Sequence, residues 1–285
     1  MESLEELTAR TLARPVPGEI AAMADHARAA HCDVRAVLAY GSCLRGVATV
    51  ESLVDLYVLT GGLEGVSSNA LSRAACALVP PNVHYAELEF EGRRIRAKYA
   101  VLPLSLFANW MTARNPYFWA RFAQPSALVF AASDGDRARV IAAICVAFRT
   151  MFANAKGLSH SADPLAVWIA GFAETYATEL RAETSTRADS IVTANAGYYR
   201  EAARLLDAVP ARNANWPLRR VIGKLWSIAR LIKAAFTFTG GADYIAWKIE
   251  RHSGQKIELT GWQRRHPIVA GLMLLPQLLK RGAIR

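Results

Sequence analysis

"LAYGSCLRGVATVESLVDLYVLT", residues 38–60, is two apolar runs joined by a turn, with one carboxylate lodged in the second run. The first run, Val34 to Tyr40, is rich in β-formers and stops at Gly41-Ser42, small residues that end a strand and can open a helical turn. In the second, Leu53 to Leu59, strand alternation sets Leu53, Asp55, Tyr57 and Leu59 on one face and Val54, Leu56 and Val58 on the other. Asp55 then falls among apolar neighbours, where an ionised carboxylate is costly unless a cation, a metal ion or hydrogen-bond donors meet it. Two readings stay open. One is an edge-strand aspartate tied to a nearby Lys or Arg; the other is a metal-binding carboxylate set opposite a phosphate-binding turn.

Upstream of this stretch, Leu4 to Ala30 reads as helix broken by Pro15 and Pro17. Downstream, Ser67 to Leu78 reads as a helix that Pro80-Pro81 closes. "NVHYAELEFEGRRIRAKYAVL" follows, two β-patterned runs with a turn near Glu91-Gly92, hence a hairpin. These elements predict an α/β domain with a mixed sheet over residues 1–125. Beyond Pro103 almost everything reads helical, with breaks at Pro125, Ser159 to Pro164, Pro210 to Pro217, Gly240-Gly241 and Pro267. Residues 126–285 are therefore expected to form an α-rich lobe of at least five helices, with room for a short hairpin around Lys256 to Leu259.

The composition, 53% hydrophobic and 20% charged over 285 residues, is that of a folded chain with ample core. Four cysteines without a C-x-x-C pair suggest neither a zinc ribbon nor a disulfide framework, and read as reduced cytosolic thiols. The acidic N-terminus lacks the pattern of a signal peptide. The longest uninterrupted apolar runs, near Val140 to Phe148 and Ile268 to Leu275, fall short of the ~20 residues that span a bilayer. No transmembrane segment is expected, and the localisation reads as cytoplasmic.

The charge is unevenly placed. Residues 211–285 hold 14 Lys or Arg against 3 Asp or Glu, while residues 1–210 hold 20 against 21, so the net +10 resides in the last quarter. Such a lobe calls for an anionic partner. Its basic residues are interleaved with apolar and aromatic ones, as in "GKLWSIARLIKAAFTF" and "IVAGLMLLPQLLKRGAIR". That mixture fits peripheral binding to an anionic membrane surface better than a phosphate-tracking patch, and no nucleic acid is expected. A solvated helix face is the competing account.

A Gly-Ser turn followed about a dozen residues later by an Asp-bearing strand resembles the opening signature of the nucleotidyltransferase superfamily. Backbone N–H groups and a serine hydroxyl at such a turn can bind phosphate oxygens, and a carboxylate one strand over can hold Mg²⁺ against them. Across most of the chain the order of segments further resembles the mitochondrial-type phosphatidate cytidylyltransferases of the translocator-assembly-and-maintenance family and their bacterial relatives. "YGSCLR…VDLYVL" is similar to the family's Tyr-Gly-Ser turn and Val-Asp-Phe strand, and Lys98-Tyr99-Ala100-Val101 to its Ile-Lys-Tyr-Gly-Val end of a hairpin. "NPYFWARFAQP" resembles an aromatic stretch before Gly-Arg-x-x-Lys-Pro, with Arg121 and Pro125 kept and Gln124 for the lysine. "WIAGFAETYATELRAE" places Glu179 where the family has an acid, and "SIARLIKAAFTFTGG" places Arg230 and Lys233 at basic positions. Tyr57 stands where most superfamily members carry a second carboxylate, and Gly61-Gly62 where mitochondrial members have further acids.

The resemblance implies an α/β nucleotidyltransferase-like N-terminal domain with a mainly α-helical C-terminal lobe. It implies Mg²⁺ as cofactor and CTP and phosphatidate as substrates, giving CDP-diacylglycerol and pyrophosphate. In that frame Asp55 and Glu179 are catalytic residues and metal ligands, and Lys98 is catalytic through its charge. Gly41, Ser42 and Arg121 bind the nucleotide, and Arg230 and Lys233 the lipid headgroup. Judged by pattern alone, Lys98 is equally a charge on a solvated strand face, Glu179 a surface acid, and the three other cations helix-end charges. Two alternatives of function remain: a nucleotidyltransferase acting on a soluble or protein acceptor, and a catalytically silent lipid-surface protein on the same fold.

Overall fold

The computed structural model describes residues 2–45, 53–159, 161, 163–179, 186–253 and 259–265. The first half runs α1 (Leu4–Leu12), α2 (Gly18–Ala29), β1 (Val34–Tyr40), β2 (Leu53–Thr60), α3 (Leu63–Val66), α4 (Ala70–Leu78), β3 (Asn82–Phe90) and β4 (Arg93–Pro103). It continues with α5 (Leu104–Asn109), α6 (Tyr117–Phe122), β5 (Ser126–Ala131) and α7 (Asp134–Ala155). Among the described residues the lobe continues with α8 (Pro164–Ala177), α9 (Thr186–Thr193), α10 (Ala196–Leu205), α11 (Trp216–Thr237), α12 (Gly241–Ser253) and α13 (Gly261–Arg265). The fold class is the expected one, a mixed α/β sheet domain with a mainly α-helical C-terminal lobe.

Five strands form one sheet in the order β3-β4-β2-β1-β5, with β2 and β4 parallel and the other neighbours antiparallel. This order places β2 at the centre, so Asp55 is not an edge-strand residue. The hairpin turn falls at Glu91 and Gly92, both at positive φ (49° and 71°), the backbone pair that a two-residue turn between twisted strands requires. β5 corrects the helical reading beyond Pro103. "SALVFA" is too short to show a period, and antiparallel pairing with β1 decides it as a strand, so the sheet extends past residue 125.

Ile20, Met23, Ala24 and Ala27 bury one side of α2, which lies across the sheet. Tyr57 emerges into an aromatic cluster with Tyr40, Phe107, Phe118 and Phe122, ring centroids 4.9–6.4 Å away. α7 packs against α1, α5, α6, α8 and the sheet. Among the described residues it is the one helix long and apolar enough to cross a bilayer, but 67% of its most apolar window is buried inside the protein. The apolar stretch at Ile268 to Leu279 and most of the hairpin expected around Lys256 to Leu259 lie outside the described residues.

Two half-buried histidines pack together beside Tyr99. His84, on β3, stacks on Tyr99 at 5.1 Å and meets His31 edge-on at 5.1 Å; neither Nε2 has a hydrogen-bond partner among the described residues. Burial, then the charges of His31 and Lys233, push the His84 imidazole from 6.5 down to about 4. The unfolded chain takes up this proton near its ordinary value, so stability is full above that pH and falls as pH drops from about 6.5 towards 4. Urea unfolding of the wild type is expected to lose about 2–3 kcal/mol between neutral pH and about pH 4.5. His84→Gln should lose measurably less over the same interval, and an equal loss would place the acid sensitivity elsewhere.

Candidate active site

The turn after β1 is built around Gly41, whose φ is +85°. A Cβ at this position would stand 3.2 Å from Asp55 Oδ2, so the glycine both permits the left-handed backbone and brings the turn against the carboxylate. Ser42 follows, exposed at the start of a single 3₁₀ turn, Ser42–Arg45. On the sheet Asp55 is flanked in register by Tyr40 on β1 and Lys98 on β4.

α6 supplies Tyr117 and Arg121, four residues apart and therefore neighbours on one helix face. Arg121 Nη1 donates to the Tyr57 hydroxyl at 3.1 Å, and its guanidinium lies 4.3 Å from the Tyr117 ring centroid and 5.3 Å from that of Tyr40. Arg230 of α11 lies over the same Tyr117 ring at 3.6 Å. Burial pushes the Tyr117 phenol up, but Arg121, Arg230 and Lys98 outweigh it and bring the pKa down to about 7, with Glu179 opposing them. Burial, and next the Asp55 charge, drives the Tyr40 phenol well above its ordinary value. A titration of absorbance near 295 nm is therefore expected to show one phenolate forming close to neutrality. Arg230→Gln should move that step upwards, because one of its stabilising cations is gone; an unchanged step would mean that another tyrosine carries it.

Gly41, Ser42, Asp55, Lys98, Arg121 and Glu179 converge on a single cavity of about 660 Å³. Lys98 is half-buried there and not on a solvated face, and Glu179 sits just past the C-terminal end of α8. A second cavity of about 560 Å³ adjoins the first, between the C-terminal half of α11, the start of α12 and the β3–β4 edge. Its walls include Ala234, Phe238 and Ile245, and Val83, Lys98, Tyr117, Glu179, Leu231 and Tyr244 belong to both cavities. Arg230 stands at this second chamber.

Lys233 is also tied into the fold. It borders the second cavity, but its ammonium donates to Val79 O at 2.6 Å, to Pro81 O and to Asn82 Oδ1 at 3.1 Å. An ammonium has three protons, and all three are used to strap α11 to the segment before β3. Burial lowers its pKa to about 8. Tyr40, Tyr117 and Tyr244 are site residues that pattern reading missed. The local signals that could have found two of them are the place of Tyr40 directly before Gly41-Ser42 and the Tyr117-x₃-Arg121 spacing.

No family model matches the chain, and no curated protein matches it. Among solved structures it is similar to a nucleotidyltransferase-like protein from Exiguobacterium sibiricum 255-15, at 11% identity and a TM-score of 0.26, over 94% of this chain and 92% of that one. A likeness this loose leaves the chemistry of the site to its own residues.

Proposed function

We propose that this protein transfers CMP from CTP to phosphatidate, giving CDP-diacylglycerol and pyrophosphate, with Mg²⁺ as cofactor. The observation that carries the reading is the junction of a polar, charge-lined cavity with an apolar one at Lys98, Tyr117 and Glu179. A nucleoside triphosphate needs the first chamber. An acceptor that is anionic at one end and apolar at the other needs both.

In this reading the backbone and hydroxyl of Gly41-Ser42 hold the β- and γ-phosphates. Lys98 and Arg121 counter the charge that develops at the α-phosphorus, and Arg230 meets the acceptor headgroup. An acceptor phosphate is already ionised at neutral pH, so its oxygen forms the new bond and pyrophosphate leaves without a general base. Catalysis is then positioning and charge neutralisation. Among the described residues no group of three or more His, Cys, Asp or Glu converges, so a cage made of protein alone is not available. Mg²⁺ is commonly held by one or two carboxylates with waters and substrate phosphates completing the shell, and Asp55 and Glu179 on one cavity fit that smaller requirement. When bound, the ion would supply Lewis-acid neutralisation of the phosphates.

α11 also supports an approach to an anionic membrane surface. It leaves Leu218, Val221, Leu225, Ile228, Ile232 and Phe236 between 45% and 78% exposed, at the three- and four-residue spacing of one continuous stripe. The reading is tested by incubating the protein with labelled CTP, Mg²⁺ and phosphatidate in mixed micelles and extracting the lipid. Label in the organic phase is expected. Transfer only to a water-soluble acceptor would favour the soluble-acceptor alternative, and no thermal protection by any nucleoside triphosphate would favour a silent protein.

A further inference from the structure

Arg14 lies in the bend between α1 and α2, and its Nε and Nη2 are buried without a hydrogen-bond partner among the described residues. Other arginines of the interior are engaged. Arg121 donates to Tyr57, and Arg219 to the Ala214 carbonyl and to Asn154. A guanidinium does not shed its proton in a protein, and although Arg14 is half-buried as a whole, its two enclosed nitrogens are a standing cost unless an acceptor meets them. The groups that act on its charge are Tyr198 and Cys43, and burial pushes the pKa of both upwards, so neither is an anion at neutral pH.

The side chain borders a small cavity of about 10 Å³, room for one water-sized oxygen, with Gly41, Leu44, Gln124, Ile191 and Asn195. No carboxylate lines it among the described residues. The amide nitrogens of Gln124 and Asn195 are turned into their own segments, to Ala120 O at 3.3 Å and Ile191 O at 3.2 Å, which leaves Arg14 as the cation of that space. Gly41 and Gln124 wall the 660 Å³ cavity as well, so the small space lies against the phosphate-binding turn.

We infer that Arg14 is a further ligand for the pyrophosphate end of the nucleotide, taking one terminal phosphoryl oxygen that reaches past Gly41. The inference rests on the nucleotide reading of the Gly41-Ser42 turn. The chemistry recognised is a polyphosphate, whether it arrives as a triphosphate tail or remains as released pyrophosphate.

Calorimetric titration of the full chain with CTP, pyrophosphate and CMP, each with Mg²⁺, tests it in wild type, Arg14→Met and Arg14→Lys. Arg14→Met is expected to weaken CTP and pyrophosphate at least tenfold and CMP less than twofold. Arg14→Lys, which keeps the charge but not the fork, should fall between. The melting temperature of ligand-free Arg14→Met should equal or exceed that of wild type, because an unmet buried charge has been removed. If both variants bind pyrophosphate as wild type does, or if Arg14→Met melts lower with CTP affinity unchanged, Arg14 is structural and the inference is overturned. Wild type that binds neither CTP nor pyrophosphate would overturn the nucleotide reading itself, a result distinct from variants that bind as well as wild type.

Discussion

Asp55→Asn is expected to lower nucleotide transfer by about a thousandfold or more, a rise of about 4 kcal/mol in the barrier. The carboxamide has the shape of the carboxylate and leaves the close packing at Gly41 in place, where a Cβ would come within 3.2 Å of the Asp55 side chain. Its charge is what disappears. With Glu179 then the one carboxylate among the described residues that line the cavity with Lys98, Arg121 and Arg187, the site turns more cationic. The variant should therefore still bind CTP, and bind it with a weaker dependence on Mg²⁺ than wild type shows. Melting temperatures within a few degrees would confirm that the fold is intact. Turnover within tenfold of wild type would instead make Asp55 a structural partner of its neighbours in register, and the metal reading of the strand would fail.

The strands that carry this site were legible because their apolar residues alternate, and the β3–β4 hairpin because Glu91-Gly92 interrupts two such runs. Strand order was not. Nothing in "LVDLYVL" says that β4 and β1 flank it, so an edge strand and a central strand look alike in sequence, and the pairing alone decides between them. The apolar face expected around Asp55 holds at Tyr57 and Leu59 but opens into a charged cavity at Asp55 itself, because the strand begins at the cavity and ends in the core.

Lys233 shows the same limit for charges. Its three acceptors come from residues 79–82, about 150 positions away in the chain, and no local spacing distinguishes such a strap from a phosphate ligand. Arg14 was missed for the opposite reason. It follows an ordinary helix end, and its significance is that Nε and Nη2 find no partner among the described residues once α10 and the Gly41 turn have closed around it.

Tyr57→Asp, which would place a second acid two residues after Asp55 on the same strand, is expected to cost stability on the order of 4 kcal/mol or more and to gain no activity. Tyr57 is fully buried, and its ring fills the space among Phe107, Phe118, Phe122 and Tyr40. Removing a core aromatic leaves a cavity, and the replacement would add a carboxylate to an apolar cluster. Arg121, now hydrogen-bonded to the Tyr57 hydroxyl, could offset part of that cost but would be drawn away from the cavity wall it lines. At roughly 2–4 °C per kcal/mol for a chain of this size, the melting temperature should fall by about 10 °C or more. Tyr57→Phe isolates the hydroxyl: it keeps the packing, removes one acceptor from Arg121 and should cost about 1 kcal/mol in urea unfolding. A stable Tyr57→Asp with raised turnover would show that the site lacks an acid at this point. The expected loss would show instead that residue 57 belongs to the core, which leaves Glu179, just past the end of α8, as the second carboxylate on this cavity among the described residues.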